Sequence, residues 1–167
     1  MIVSNLFVKS PGEGEPSLPK WSVPEVEIYS GGCRGDFNFF RFNNYKNVCE
    51  KKGQHYDPEN RAILIMSLDV LASLNEEGWP VKPGDLGENL SVDGKYSSFE
   101  RGNMYKVGSS VIRLTYQATP CKKLAQLSYV GEEKLADFIS AMKNRRGWYA
   151  KVLNEGVIRK GDEFILL

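Results

Sequence analysis

In Val111-Ile112-Arg113-Leu114-Thr115-Tyr116, the apolar Ile112, Leu114 and Tyr116 alternate with Arg113 and Thr115. A period of two sends successive side chains to opposite faces of an extended chain, so this stretch predicts a strand with one face in a core. The rhythm recurs at Leu6 and Val8, at Val26 and Ile28 against Glu25 and Glu27, over Trp148 to Leu153 and over Glu163 to Leu166. Glycine-containing punctuation marks the boundaries of such runs, at Asp93-Gly94, Val107-Gly108, Glu155-Gly156 and Gly161-Asp162. Many short strands joined by tight turns predict a mostly β fold, a β-barrel with a few flanking α-helices.

Two segments carry a helical period instead. Ser67 can cap a helix whose Leu68, Leu71 and Ala72 share a face and which Gly78 ends. From about Glu132 to Lys143, the residues Leu135, Phe138, Ile139 and Met142 fall at the i, i+3, i+4, i+7 spacing of a core-facing stripe. Both helices are expected to plug or flank the barrel. The Pro/Gly/Glu-rich run from Pro11 to Pro19 reads as a loop, and Cys33 to Asn60, which has no clean period, as a long loop or irregular insertion. With no repeat along the chain, residues 1–167 are expected to form a single domain.

A chain of 167 residues can bury about 70% of its unfolded surface and needs no staple to hold a core. Its 41% hydrophobic and 26% charged residues exclude fibrous and disordered classes. Lys and Arg total 22 against 21 for Asp and Glu, so the net charge of +1 supplies no bulk field for nucleic acid or an anionic membrane. A local basic cluster can still hold a small anion. An aromatic and basic group, Phe37, Phe39, Phe40 and Tyr45 near Arg34, Arg41 and Lys46, is the only candidate stacking surface; the balanced charge and nearby Asp36 argue against nucleic acid. The longest apolar run, Ala62 to Met66, is far shorter than the roughly 18 residues of a membrane span. Ile2 to Val8 lacks the basic leader and cleavage pattern of a secretory signal, so a cytoplasmic protein with reduced thiols at Cys33, Cys49 and Cys121 is expected. A zinc site is not expected, because no paired Cys or His spacing exists and His55 is the only histidine, read as a loop residue.

Three stretches can carry chemistry. Gly78 to Leu90 packs Pro80, Pro83, Gly84, Asp85, Gly87, Glu88 and Asn89 into one irregular segment. It reads either as a loop whose backbone approaches a ligand closely or as a tight helix-to-strand connection. Cys121, beside Lys122 and Lys123, reads either as a thiol whose thiolate is favoured by neighbouring cations or as a small buried hydrophobe. Cys33 and Cys49 have less cationic support and read as structural. Arg145 and Arg146 before Gly147-Trp148 either complement the end of the preceding helix or present a guanidinium fork to a phosphate.

Taken together, Pro83-Gly84-Asp85-Leu86-Gly87-Glu88-Asn89-Leu90, Pro120-Cys121-Lys122-Lys123-Leu124, Gly147-Trp148-Tyr149, Val152 to Val157 and Gly161-Asp162 resemble, in order and spacing, the MOSC domain, the family named after the C-terminal part of molybdenum cofactor sulfurase. The resemblance spans about Gly31 to Leu166. It implies a β-barrel-rich fold carrying a molybdenum cofactor of the molybdopterin type, with Cys121 as the catalytic residue and the molybdenum ligand. Arg61, Gly84, Asp85, Gly87, Glu88, Asn89, Lys122 and Arg146 are then the expected cofactor-binding residues. Stand-alone members resemble reductases of N-hydroxylated bases and amidoximes, so the implied activity is that of an oxidoreductase on such a small-molecule substrate. The alternatives are sulfur transfer through a Cys121 persulfide, or a carrier module that binds the cofactor without catalysis.

The chain shows no pyridoxal-phosphate sulfurase domain, which the family name evokes, and no iron–sulfur or flavin module. A separate electron-transfer protein or cysteine desulfurase is therefore the expected partner. Two departures from the family pattern stand out: His55-Tyr56-Asp57 replaces a His-Gly-Gly stretch downstream of Gly35-Asp36, and Ala118 stands where many members have arginine. The phosphate contact of that arginine would pass to Lys122, Arg61 or Arg146, of which at least two are expected to converge on the face carrying Cys121.

Overall fold

The structure is a computed structural model that describes residues 1–10, 12, 14–39 and 58–167. Cys49 and His55, with Phe40, Arg41, Tyr45 and Lys46 of the stacking surface, lie outside the described residues. Along the chain run β1 (Val3–Val8), β2 (Trp21–Val23), β3 (Glu25–Tyr29), β4 (Gly32–Cys33) and β5 (Ile63–Ser67), then helix α1 (Leu68–Glu76) and β6 (Leu90–Val92). There follow β7 (Met104–Val107), β8 (Ser110–Gln117), helix α2 (Leu135–Ala141), β9 (Trp148–Asn154), β10 (Gly156–Arg159) and β11 (Phe164–Leu166). Each alternating segment of the sequence thus becomes a strand. The Val107-Gly108 and Glu155-Gly156 pairs turn β7 into β8 and β9 into β10.

Eight strands pair in the order β11-β7-β8-β9-β5-β6-β1-β2, and β10-β3-β4 form a second sheet. The large sheet is mixed, since β5 and β6 run parallel while its other ladders are antiparallel. The expected barrel is not found as a closed structure among the described residues. The reason lies at β1, whose free edge is taken by β2 over Leu6–Val8. Only the beginning of β1 remains to meet the other end of the sheet. It does so through the bridge Ile2–Glu163 and the bonds from Val3 N–H to Asp162 O (2.9 Å), Gly161 N–H to Val3 O (2.8 Å) and Phe164 N–H to Met1 O (2.7 Å).

Two apolar clusters lie on either side of β5. One gathers Ile63 and Ile65 with Leu6, Leu90, Ile112, Leu114 and Ala150 inside the sheet. The other packs Met66 against α1, α2, the loop after α1 and the turn after β8, through Leu74, Phe138, Leu86 and Leu124. A strand buried on both faces reads as a continuous apolar run, which is why Ala62 to Met66 is the longest in the sequence.

The helices differ from expectation in the face they bury. In α1, Val70, Leu71 and Leu74 are buried while Ala72 is exposed, because the helix leans on the second cluster through the i, i+1, i+4 edge. Ser67 sits at the cap position, but its hydroxyl bonds to Asp69 and to the Gly94 carbonyl rather than to the helix N–H groups. Gly78 does end α1, at φ +91°. Helix α2 is shorter than the expected span, and only Phe138 and Met142 of its stripe are fully buried.

Candidate functional site

Strand β8 ends at Gln117, and Ala118 N–H donates to the Gly147 carbonyl at 2.8 Å, tying this exit to the start of β9. Cys121 then caps a 3₁₀ turn over Lys122–Gln126. With three residues per turn, Cys121 and Leu124 share a face. Leu124 is fully buried in the second cluster, while Cys121 is exposed as a free thiol at the mouth of a cleft of about 200 Å³. Lys123 also lines that cleft, its ammonium 5.6 Å from the Phe37 ring centroid; Lys122 does not line it.

The two adjacent arginines part company. Asn144, at φ +63°, and Gly147, at φ +98°, reverse the chain between α2 and β9. A Cβ on Gly147 would lie 2.6 Å from the Ile65 carbonyl, so only glycine fits there. Arg145 turns back to the helix, bonding to the Ala141 carbonyl and pairing with both carboxylate oxygens of Glu77. Arg146 turns into the cleft and is only 7% exposed. One of its Nη atoms donates to the Leu86 carbonyl; its Nε and other Nη find no partner among the described residues. Burial lowers its pKa, opposed by Tyr149, Glu88, Cys121 and Tyr96.

The glycine-rich loop forms one wall. Gly87 lines the cleft at φ +78°, and a Cβ there would meet Leu18 at 2.8 Å. The polar side chains of this loop, expected to face a cofactor, are turned to architecture instead. Asn89 accepts from Leu64 N–H at 3.1 Å and donates to Phe7 O at 3.2 Å, clamping β5 to β1. Asp85 accepts from Lys82 N–H (2.9 Å) and from the Tyr129 hydroxyl (3.0 Å). Glu88 is fully buried and does not line the cleft. Its Oε1 accepts from Gly84 N–H at 2.6 Å and from the Ser91 hydroxyl at 3.1 Å, and its Oε2 has no partner among the described residues. Burial pushes its carboxyl above the usual range, against those hydrogen bonds and the pull of Arg146.

The opposite wall comes from segments that sequence reasoning passed over. Lys9 and Lys20 bracket the Pro11–Pro19 loop, and both line the cleft with Asp36. Asp36 is 1% exposed and accepts from Lys9 N–H (3.2 Å) and Asn38 N–H (3.1 Å), with Lys20 Nζ at 2.7 Å. The Lys9 ammonium itself sits 5.2 Å from the Trp21 ring centroid. Among the described residues, the charged lining is thus Lys9, Lys20, Lys123 and Arg146 against Asp36, a cationic concentration inside a chain of net charge +1.

Of the three expected cations, Arg146 alone lines the cleft, so the convergence expected of at least two of them is not found. Arg61 lies over the rings of Tyr116 (5.2 Å) and Tyr149 (5.6 Å), and only the second of these borders the cleft. Lys122 is exposed and does not line the cleft. No sequence signal selects Lys123 over Lys122, because a three-residue period places both off the face that Cys121 and Leu124 share. Cys33 is buried in β4, where burial pushes its thiol far up and makes it inert. Arg34 and Phe39 of the stacking surface are turned to Glu27 (2.6 Å) and Tyr29 (5.6 Å between centroids).

Fold and cleft define a mostly β protein with a thiol at the rim of a cationic pocket. The family model described as the MOSC domain matches residues 51–165, and the chain belongs to that family. Among solved structures it is similar to YuaD from Bacillus subtilis at 18% identity and a TM-score of 0.77, covering 98% of this chain and 93% of that one. It is also similar to YiiM from Geobacillus stearothermophilus (22% identity, TM-score 0.67, covering 100% and 74%). YiiM from Escherichia coli follows at 20% identity and a TM-score of 0.64, covering 100% and 70%. No curated protein matches. No helix among the described residues is long and apolar enough to cross a membrane.

Proposed function

We propose that the cleft binds a molybdenum cofactor of the molybdopterin type, with Cys121 as the thiolate ligand of the metal, and that the protein reduces N-hydroxylated small molecules. The observation that carries this reading is Arg146, a buried guanidinium whose Nε and one Nη have no partner among the described residues, in a cleft that an exposed thiol also lines. Leaving such donors unpaired in a low-dielectric wall is costly unless an anion completes them, and a phosphate does so with two parallel hydrogen bonds. Membership of the MOSC family supports the same group.

When bound, the cofactor supplies two-electron chemistry at its metal. The chain's own residues do the holding. Arg146 takes the phosphate end, Gly87 lets the backbone wall approach without a side chain, and Cys121 offers sulfur at the rim. A separate protein delivers electrons.

Protein produced in a cofactor-competent host is expected to retain molybdenum and pterin and to turn over an amidoxime with an artificial electron donor. Absence of both metal and pterin, with failure to load either, would overturn the reading. The exposure of Cys121 also favours a second reading, in which its sulfur is handed on as a persulfide. Mass spectrometry after treatment with a cysteine desulfurase and cysteine would then show one added sulfur atom on the wild-type chain and none on Cys121→Ala.

A further inference from the structure

Beside Arg146, the cleft holds two more buried cations among the described residues, Lys9, which is 6% exposed, and Lys20. Lys20 has a side chain only 7% exposed and pairs with Asp36 at 2.7 Å. An ammonium carries three N–H donors, and no further acceptor reaches this one among the described residues. Lys20 and Arg146 both bond to the glycine-rich loop, Lys20 through its main chain and Arg146 through its side chain. Lys20 N–H donates to the Gly84 carbonyl at 3.0 Å, and the Arg146 guanidinium donates to the Leu86 carbonyl, two residues further on. Both side chains line one cleft, and both have donors to give. The other two cations that line the cleft among the described residues are differently placed: Lys9, though buried, has its ammonium over the Trp21 ring, and Lys123 stands exposed over Phe37, where solvent screens it.

We propose that Lys20 and Arg146 form a paired subsite for a doubly charged tetrahedral oxyanion, a phosphate monoester or inorganic phosphate, with Asp36 as the positioning residue of Lys20. The inference rests on the reading of the cleft as a cofactor site and specifies how that site recognises the phosphate end. Two fixed cations from separate segments select charge as well as shape. A dianion draws on both, whereas a monoanion is held by Arg146 and leaves Lys20 to its pairing with Asp36. Asp36 is itself held by Lys9 N–H and Asn38 N–H, so it fixes the ammonium from a rigid base.

The test is calorimetric titration of the full chain with inorganic phosphate at about pH 8, where the dianion dominates, and with perchlorate as a tetrahedral monoanion. Wild type is expected to prefer phosphate by about tenfold or more, the size of one charge-assisted hydrogen bond. Lys20→Met leaves Asp36 buried without its partner, so Lys20→Met combined with Asp36→Asn removes the pair as a unit and guards against misfolding. That double variant and Arg146→Met should each lose about tenfold in phosphate affinity while perchlorate binding changes little, and Lys20→Arg should restore most of the loss. Adding Arg146→Met to the double variant should cost less than the two losses combined, because one anion no longer bridges both groups. Phosphate binding within twofold of wild type in the Lys20→Met, Asp36→Asn variant, or no saturable phosphate binding by wild type, would overturn the proposal. Phosphate binding that depends on both cations in a chain unable to take up pterin or molybdenum would uphold the subsite and remove the cofactor reading; the converse pattern would do the reverse.

Discussion

Among single residues, Cys121, Glu88 and Asn89 have different jobs despite lying in motifs of equal prominence. Cys121 is exposed, so Cys121→Ala leaves little cavity and should shift stability by less than about 0.5 kcal/mol. Thermal unfolding should coincide with wild type while molybdenum retention and any thiol modification disappear. Asn89 holds β5 to β1 with both ends of its amide. Asn89→Ala strands a buried N–H and a buried C=O, and chemical denaturation should report a loss of about 2–4 kcal/mol. Glu88 gives a pH signature. Burial raises its folded pKa above the ordinary 4.5, so between these values the unfolded chain releases a proton that the folded chain keeps. Stability therefore falls as pH rises through that window and levels off above it. Urea midpoints measured across pH should slope downward there for wild type, and the slope should be shallower in Glu88→Gln, which keeps an acceptor for Gly84 N–H.

Among elements, the connection from α2 to β9 matters most. It sends Arg145 back to the helix and Arg146 forward into the cleft, a division that the Arg-Arg pair in the sequence does not specify. The division depends on the positive φ of Asn144 and on Gly147, whose missing side chain lets β9 pass the Ile65 carbonyl. Gly147→Ala should cost at least about 1–2 kcal/mol from its backbone conformation alone and should also weaken phosphate binding by displacing Arg146, read by thermal melts and calorimetry on the same sample. The strands were legible in the sequence because alternation and turn glycines are local: β8, β9 and β11 fall where the period-two runs lie. The helices were legible in place but not in face. Ala72 looks as apolar as Leu71 in sequence, and only packing against the second cluster decides that Val70 and Leu74 go inward.

Across the whole molecule, the cleft joins residues that the chain keeps far apart: Lys9, Lys20 and Asp36 near one end, Gly87 in the middle, Cys121 and Arg146 toward the other. Motif reading found Gly87, Cys121 and Arg146, because glycine spacing and a Pro-Cys pair are visible along the chain. It missed the Lys20–Asp36 wall, because an ion pair 16 residues apart has no local pattern and forms only when β2 joins β1 beside the glycine loop. It also expected closure of the sheet, which turn signals cannot decide, since β2 competes for the same edge of β1. The central claim is that a cofactor phosphate occupies the wall made by Arg146 while Cys121 faces the metal. Its most direct measurement is the molybdenum and pterin content of protein purified from a cofactor-competent host, compared between wild type and Arg146→Met. Wild type should carry both in near-equal amount to the protein, and Arg146→Met should carry little of either while remaining folded. An Arg146→Met variant as fully loaded as wild type, or a wild-type chain that contains neither and cannot be loaded, would contradict it.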